Sequence, residues 1–320
     1  MRVPANPEIR LDAYNQFQIN IEGQVMDWKG GRRSNNIDDQ RNSSPLAASA
    51  GGLAILFRFL PFLISTKIGR VILVVGALGY AGAHFLGIDI MQLIGGGSPQ
   101  HASQQLSAED QELSDFVSVI LGSTEDAWKT QFQKAGKVYR EPVLTLFRDR
   151  VNSACGLAQS ATGPFYCPGD NKLYIDLSFY QEMRNRLGAP GDFAQAYVIA
   201  HEVGHHVQNL LGIAGKVNQA QQNKSQAEVN ALSVKLELQA DCFAGIWGHY
   251  ADRERSMLEA GDIDEALNAA AAIGDDRLQK QATGTVRPES FTHGSSKQRA
   301  DWFNRGFQGG SIDECNTFKN

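Results

Sequence analysis

The sequence lacks features that would place it in several common classes of protein. It has no excess of basic residues, because 30 Lys and Arg face 35 Asp and Glu for a net charge of −5. This balance argues against a nucleic-acid partner. The absence of a Cys-x-x-Cys pair argues against a structural zinc knuckle. An even number of cysteines confined to one region is typical of two disulfides in an oxidising compartment. The candidates are Cys155, Cys167, Cys242 and Cys315.

No apolar run lies near the start of the chain, so the sequence predicts no cleavable signal peptide. Residues 1–50 are polar and irregular, and we predict that they form a disordered segment. Two methionines are candidates for the first residue of the chain. They are Met1 and Met26, the second of which opens the stretch Met26-Asp27-Trp28.

Residues 51–94 are predicted to associate with a membrane. Residues 51–62 are apolar but too short to span a bilayer, and we interpret them as interfacial. Residues 71–88 carry no formal charge, and a run of about 18 apolar residues is long enough to cross the hydrocarbon core. The sequence therefore predicts a transmembrane helix over about residues 71–90. The alternative is a buried core helix, but the glycines in this run favour the membrane.

Basic residues lie on one side of this predicted span. Arg58, Lys67 and Arg70 precede it, and the first basic residue after it is Lys129. The positive-inside rule therefore predicts a single-pass anchor with a cytoplasmic N-terminus and an extracytoplasmic C-terminal domain. Residues 95–106 have the composition of a flexible linker.

Residues 107–320 are predicted to form one α+β domain, mostly helical with a small β-sheet. Strand signals lie at Val143–Phe147, Phe165–Cys167 and residues 173–176. Cys155 and Cys167 flank a hairpin-like excursion, which makes them the favoured local disulfide. A helix is predicted to begin with Asp192 as its N-cap.

That helix carries the most informative motif, His201-Glu202-x-x-His205. Because the two histidines lie four residues apart, their imidazoles project from one helical face and can share a metal ion. Glu202 can then act on a water beside that ion. The alternative is a helix that carries surface histidines beside a glutamate.

A later helix carries two carboxylates four residues apart, Glu237 and Asp241. A catalytic zinc site uses three protein ligands and one open position. Glu237 is the predicted third ligand beside His201 and His205. Asp241 is predicted to hold the free ring N–H of a histidine, most simply His201. The alternative is a pair of surface acids, but their apolar neighbours disfavour full exposure.

These motifs resemble those of gluzincin-type zinc metallopeptidases, and more closely those of a bacterial family of neutral zinc metallopeptidases. The resemblance covers nearly the whole chain from Met26 onward, and the first 25 residues depart from it. It implies a zincin-like fold, a membrane anchor and Zn²⁺, and hence a location in the bacterial inner membrane with a periplasmic catalytic domain. The stretches that carry it include 154–156, 163–168, 196–202, 237–242 and 291–294.

The expected chemistry is hydrolysis of peptide bonds in a peptide or protein substrate. Glu202 is the predicted general base for a metal-activated water. His293 is the predicted donor to the oxyanion, because His293 and Arg299 are similar to a His…Arg pattern in related membrane metallopeptidases. The alternative for His293 is a structural histidine, and Arg299 is expected to form a structural ion pair. Residues 173–176 are expected to form the cleft edge, where an extended peptide can add as a strand.

Two other functions remain open at this point. The domain could be a catalytically silent scaffold of the cell envelope that retains the zincin frame, although Glu202 argues against this. It could also be a metal-dependent amidase or esterase that acts on a non-peptide envelope substrate.

Overall fold

A computed structural model describes residues 26–42, 107–160 and 163–319. Of these, residues 26–39 and 108–319 belong to one compact unit. The predicted transmembrane helix over residues 71–90 and the predicted linker over residues 95–106 lie outside the described residues. Within the described ranges, no helix combines the length and the apolar character needed to cross a membrane.

The described unit is mostly helical and contains a small sheet, as the sequence predicted. The helices are α1 (Ala108–Lys134), α2 (Ser178–Glu182), α3 (Asp192–Leu210), α4 (Ile213–Gln221), α5 (Gln226–Arg253), α6 (Asp262–Ala272), α7 (Asp275–Thr283) and α8 (Ser296–Gly309). A π-helical turn at Met183–Leu187 extends α2, and short 3₁₀ turns lie at Pro288–Ser290 and Ile312–Cys315. The strands are β1 (Ile37–Asp39), β2 (Val143–Phe147), β3 (Arg150–Ser153), β4 (Gly156–Gln159), β5 (Phe165–Cys167) and β6 (Lys172–Asp176).

The larger sheet has the strand order β1-β2-β6-β5. The pairs β1–β2 and β2–β6 are parallel, whereas β5 runs antiparallel to β6. The prediction that residues 173–176 form the cleft edge is therefore wrong, because β6 lies between two other strands. The outer strands of this sheet are β1 and β5, and residues of β5 line the cleft. The short β5 sequence, Phe165-Tyr166-Cys167, does not indicate whether it is an edge or an interior strand.

Helix α3 lies at the centre of the core, and almost all its residues from Phe193 to Gln208 are buried. A helix that is buried on nearly every side needs small or apolar residues around its whole circumference. Phe193 stacks on Trp247 of α5 at 5.5 Å between ring centroids. Glycines allow α8 to lie directly against α5, because a Cβ at Gly306 would lie 1.9 Å from the carbonyl oxygen of Cys242.

Residues 26–42 are folded, so the prediction of disorder over residues 1–50 is wrong for this part. Met26 is buried and Trp28 packs edge-on against Phe116 of α1. Arg32 forms an ion pair with buried Glu125 at 2.8 Å. The segment is stabilised by pairing with a strand distant in sequence, as Ile37 pairs with Leu144. Local periodicity therefore does not reveal that it is folded.

This pairing limits how the chain can be placed relative to a membrane. Strands β1 and β2 share a sheet, so residues 37–39 and 143–147 must lie in the same compartment. A single membrane crossing over residues 71–90 would separate them. An arrangement with β1 in the cytoplasm and the C-terminal domain outside would therefore break this pairing.

Two disulfides are present. Cys155 and Cys167 form the predicted local disulfide and join the β3–β4 turn to β5. The second disulfide, between Cys242 and Cys315, joins the middle of α5 to the C-terminal 3₁₀ turn. The described residues contain no free cysteine.

Candidate metal centre

Helix α3 presents His201 and His205 on one face, with their ring centroids 4.8 Å apart. The helix begins one residue earlier than the capping prediction required. Its N-cap is Gly191, in an extended conformation, and Asp192 is its first helical residue with no capping hydrogen bond. Asp192 is therefore not the N-cap, and its carboxylate accepts the backbone N–H of Phe193 at 2.8 Å and that of Met26.

Helix α5 brings Glu237 to both imidazoles. The Nε2 atom of His201 lies 3.2 Å from Glu237 Oε2, and that of His205 lies 3.5 Å from Glu237 Oε1. Ligands at about 2.05 Å from a tetrahedral zinc would lie about 3.3 Å from one another. The three side chains thus converge at the spacing of zinc ligands, and this donor set of two imidazoles and one carboxylate fits a zinc ion.

The two helices approach closely because residue 204 is glycine. A Cβ at Gly204 would lie 2.9 Å from the carbonyl oxygen of Ala240 and 3.1 Å from its Cα. Any larger side chain would therefore push α3 and α5 apart. The glycine inside the histidine motif thus permits the close approach of α3 and α5 that brings carboxylates of α5 to the imidazoles of α3.

The other nitrogen of each imidazole has an acceptor. His201 Nδ1 lies 2.8 Å from Asp241 Oδ1, and His205 Nδ1 lies 3.0 Å from Gln208 Oε1. The amide nitrogen of Gln208 donates to the carbonyl of Leu236 at 2.7 Å, which orients its oxygen towards His205. These acceptors hold the proton on Nδ1 and leave each Nε2 lone pair directed at the shared site.

Asp241 is fully buried and is held by Arg299 of α8. The guanidinium donates through Nε and Nη2 to the two carboxylate oxygens, each at 2.9 Å. The hydroxyl of Tyr197 also donates to Asp241. Although burial opposes ionisation, the charge of Arg299 lowers the pKa of Asp241 to about 2. Arg299 thus forms the structural ion pair that was expected.

The charge of the centre favours a divalent cation. Three carboxylates, Glu202, Glu237 and Asp241, face one guanidinium, that of Arg299. Three negative charges minus one positive charge leave two uncompensated. Burial lowers the pKa of His201, but the charge of Asp241 and the hydrogen bonds to Asp241 and Glu237 raise it to about 10.

Glu202 lies beside the convergent ligands without taking part in their mutual contacts. It offers a carboxylate oxygen within 4.8 Å of ligand atoms of both histidines. The backbone N–H of Tyr166 in β5 donates to this carboxylate. Burial raises the pKa of Glu202 above its ordinary value. A carboxylate of raised pKa is better matched to taking up and releasing a proton near neutral pH.

A cleft of about 580 Å³ opens onto these groups. One wall is formed by β5 and the turn before it, and the opposite wall includes residues of α7 and the loop that follows it. The lining includes the imidazoles and carboxylates of the site together with Phe165, Tyr166, Phe179, Leu278 and His293. The site is therefore reached from solvent along an outer strand of the sheet.

A family profile described as "Putative neutral zinc metallopeptidase" matches residues 26–318. The chain belongs to this family. The match covers the whole described unit, including β1 and the residues that converge on the cleft. Membership gives zinc as the metal that the family description implies, in agreement with the donor set.

Two relatives show how far this metallopeptidase family extends. The Escherichia coli (strain K12) "Uncharacterized protein YpfJ" is 54% identical over 294 residues, which are 92% of this chain and 99% of that protein. The Mycobacterium tuberculosis (strain H37Rv) "Uncharacterized protein Rv2575" is 44% identical over 211 residues, which are 62% of this chain and 69% of that protein. No solved structure matches the chain.

His293 lies on the wall of the cleft and is half-exposed. Asp275, the first residue of α7, holds the loop that carries it. The carboxylate accepts the backbone N–H groups of Thr292, His293 and Gly294 at 2.7, 2.6 and 3.0 Å, and lies 3.2 Å from His293 Nδ1. Asp275 therefore fixes both the backbone and the ring of His293 in this family member.

Sequence reasoning missed several residues of the site. It did not identify Asp275 as a partner of His293, or Tyr197 and Gln208 as partners of the centre. Gln208 lies three residues after His205, on the same helical face, so this spacing was a usable signal. His206, which follows His205 directly, lies outside the convergent group, and its Nε2 lies 2.7 Å from the carbonyl oxygen of Arg140.

Proposed function

We propose that this protein is a zinc-dependent peptidase whose centre is formed by His201, His205 and Glu237, with Glu202 as the general base. One observation carries the proposal. Side chains from two helices converge at the spacing of metal ligands, and a further carboxylate beside them remains available for proton transfer.

The zinc, when bound, supplies Lewis acidity that polarises a carbonyl group and lowers the pKa of water. Glu202 takes a proton from the water that attacks the substrate carbonyl and returns it to the leaving amine. The Tyr166 N–H restrains the Glu202 carboxylate during this exchange. His293 is placed on the cleft wall to donate a hydrogen bond to the developing oxyanion, with Asp275 as its positioning residue.

The substrate class is supported by the outer strand of the sheet. Among the residues that the structure describes, β5 pairs with β6 on one side only, and its Tyr166 adjoins the general base. An extended peptide that adds to the free side of β5 would have its backbone beside Glu202. A non-peptide amide or ester would have no use for such a strand, and we therefore prefer a peptide or protein substrate.

We further propose that the membrane-associated region, residues 51–94, attaches the protein to the bacterial inner membrane without a single net crossing, with the domain on the extracytoplasmic side. The two disulfides support an oxidising compartment. In this arrangement residues 26–39 lie on the same side as the domain, because β1 belongs to its sheet.

The experiment compares the purified wild-type protein with Glu202→Gln and Glu237→Ala. A library of unstructured peptides is the substrate, cleavage is followed by mass spectrometry, and bound zinc is measured by elemental analysis. Glu202→Gln is expected to retain zinc and to cleave about 10²–10⁴-fold more slowly, the usual effect of losing a general base. Glu237→Ala is expected to lose both zinc and cleavage.

Two outcomes would overturn the proposal. Equal cleavage by wild type and Glu202→Gln would remove the general base. A zinc-loaded wild type that binds peptides without cleaving them would favour the catalytically silent scaffold. Lys216→Ala on exposed α4 serves as the control variant and is expected to behave as wild type.

A further inference from the structure

A second group of acidic side chains lies apart from the metal centre. Asp192, Asp262 and Glu265 offer carboxylate oxygens that all lie within 4.8 Å of one another. Asp192 is the first residue of α3, and the other two lie in the first turn of α6. His201 follows Asp192 along α3 by about 13 Å, at a rise of about 1.5 Å per residue. We call these three residues the acidic triad.

The acidic triad has too few partners for its burial. Asp262 is only 1% exposed, and one of its oxygens accepts the backbone N–H of Glu259 at 2.8 Å. Its other oxygen, Asp192 Oδ2 and Glu265 Oε2 are buried and have no hydrogen-bond partner among the described residues. Buried carboxylates without donors or a cation are costly, so this arrangement requires a positively charged partner.

The acid–base properties of the triad lead to the same requirement. Burial, reinforced by the charge of Asp192, raises the pKa of Asp262 to about 6 and that of Glu265 to about 7. Burial also raises the pKa of Asp192. A cation in contact with the three groups would lower all these values and restore full ionisation.

The backbone nitrogen of Met26 lies beside the triad. Its N–H hydrogen-bonds to the Asp192 carboxylate, and Met26 is 1% exposed. The next residue is fixed too, because the Asp27 N–H donates to the carbonyl of Met257 at 2.9 Å. Trp28 then packs against Phe116. The nitrogen of residue 26 is therefore held in place from several sides, next to carboxylates that lack a cation.

We propose that the acidic triad is the binding site for the free α-ammonium group of a chain that begins at Met26. An ammonium group carries one positive charge and three N–H donors, whereas an amide nitrogen within a chain carries one donor and no charge. One N–H of Met26 already bonds to the Asp192 carboxylate, so an ammonium group adds two further donors and one positive charge beside three buried carboxylate oxygens that lack a partner. The family match also begins at residue 26.

The α-ammonium can come from two sources that give the same chemistry. Translation can start at Met26. Alternatively, water and a peptidase hydrolyse the Val25–Met26 peptide bond, which leaves a carboxylate on Val25 and an ammonium on Met26. In either case the ion pair fixes the first turn of α3, the helix that carries His201, Glu202 and His205.

The first experiment determines the N-terminus. The gene is expressed with its native upstream region and all 320 codons, and the purified protein is characterised by intact mass and N-terminal sequencing. The expected first residue is Met26 with an unmodified α-amine. A protein that begins at Met1, or whose α-amine is blocked, would overturn the proposal. Met26→Leu separates the sources: a shortened chain persists if hydrolysis produces it and disappears if translation starts there.

The second experiment tests the ion pair itself. A chain that begins at Met26 is compared with the same chain extended by one glycine, in the wild-type background and in Asp262→Asn. The extension is expected to lower the Tm by several degrees in wild type and by much less in Asp262→Asn. Asp264→Asn, an exposed acid on the same helix, is the control and is expected to respond as wild type does.

The α-amine also has a signature that a general loss of packing would not produce. Its pKa is expected to lie above the ordinary value of about 7.7–8.0, as measured from the pH dependence of N-terminal acylation. Asp262→Asn is expected to bring that pKa back towards this value. An unshifted pKa with equal Tm values would refute the ion pair. A bound divalent cation that is lost in Asp262→Asn would show that a metal ion occupies the triad instead.

Discussion

Gly204 and Ala240 are in backbone contact: a Cβ at Gly204 would lie 2.9 Å from the Ala240 carbonyl oxygen. This contact sets the separation of α3 from α5, and therefore the distance from the imidazoles to Glu237. Gly204 therefore determines the geometry of the metal site although none of its atoms is a predicted ligand.

Gly204→Ala is expected to weaken zinc binding. The methyl group requires the two helices to separate by several tenths of an ångström, and overpacking of this kind costs about 1–3 kcal/mol. The gain in helix propensity from alanine, about 1 kcal/mol, offsets part of that cost. A competitive zinc titration and thermal unfolding measure the two effects.

The matched control for that substitution is Gly215→Ala in α4, where a Cβ meets no atom within 4 Å. We expect it to leave zinc affinity unchanged and stability unchanged or slightly raised. If Gly204→Ala bound zinc as tightly as Gly215→Ala does, the helix contact would not control the site.

Asp241 and Arg299 are expected to be strongly coupled. The pair is fully buried, and removal of one partner of a buried pair costs about 3–5 kcal/mol because the other charge is left uncompensated. Asp241→Asn should also reduce zinc affinity about 10–100-fold, since it loses the charged acceptor that holds His201. A double-mutant cycle with Arg299→Gln measures the coupling by denaturant unfolding.

The exposed pair Lys297–Asp301 on the same helix as Arg299 supplies the comparison. Its coupling is expected to be about 0.5 kcal/mol or less, the usual value for a solvated i,i+4 pair. Equal coupling energies for the two pairs would contradict the assignment of Asp241 and Arg299 to a buried support for His201.

The pH dependence of stability should reveal the acidic triad in a chain extended before Met26. The folded-state pKa values of Asp262 and Glu265, about 6 and about 7, lie above their ordinary values of 3.8 and 4.5. The folded state then binds protons more tightly than the unfolded state. The resulting stabilisation is complete below about pH 4 and is lost as the pH rises through 6 to 7.

The measurement is the difference in Tm between this extended chain and its Asp262→Asn/Glu265→Gln variant, from pH 4 to 8. The difference is expected to shift in favour of the variant as pH rises, because the variant has no carboxylates to ionise at the triad. A chain that begins at Met26 should show a smaller shift, because its ammonium favours ionised carboxylates. A pH-independent difference in the extended chain would contradict the raised pKa values.

Lys29 and Lys297 are expected to lie on the same side of the membrane. Both side chains are exposed, by 71% and 84%, and both belong to the compact unit that contains β1 and β2. Spheroplasts are treated with a membrane-impermeant amine reagent, and modification of each lysine is read by peptide mass spectrometry. We expect both to be modified, because the disulfides favour the extracytoplasmic side.

Permeabilised spheroplasts serve as the control, because the reagent reaches both sides of their membrane and gives the maximum modification of each lysine. Modification of Lys297 alone in intact spheroplasts would support a single membrane crossing between the two lysines. It would also mean that β1 does not pair with β2. Protection of both lysines would instead place the whole unit in the cytoplasm.

Local spacing was sufficient to identify the candidate site. Two histidines four residues apart, and two acids four residues apart on another helix, share a face because of helical geometry alone. The division into helices and short strands also followed from periodicity and turn residues. The local disulfide, Cys155–Cys167, could be predicted because a short excursion brings its cysteines together.

The tertiary structure alone decided how distant segments meet. β1 becomes a strand only because β2, some hundred residues later, supplies its hydrogen bonds. At the cleft, β5 rather than β6 is the edge strand, because parallel pairing places β6 against β2. The acidic triad forms because the N-terminal ends of α3 and α6 converge, and no local sequence pattern predicts this convergence. The sequence by itself determined which groups can bind a cation, whereas packing over long separations determined which of them are brought together.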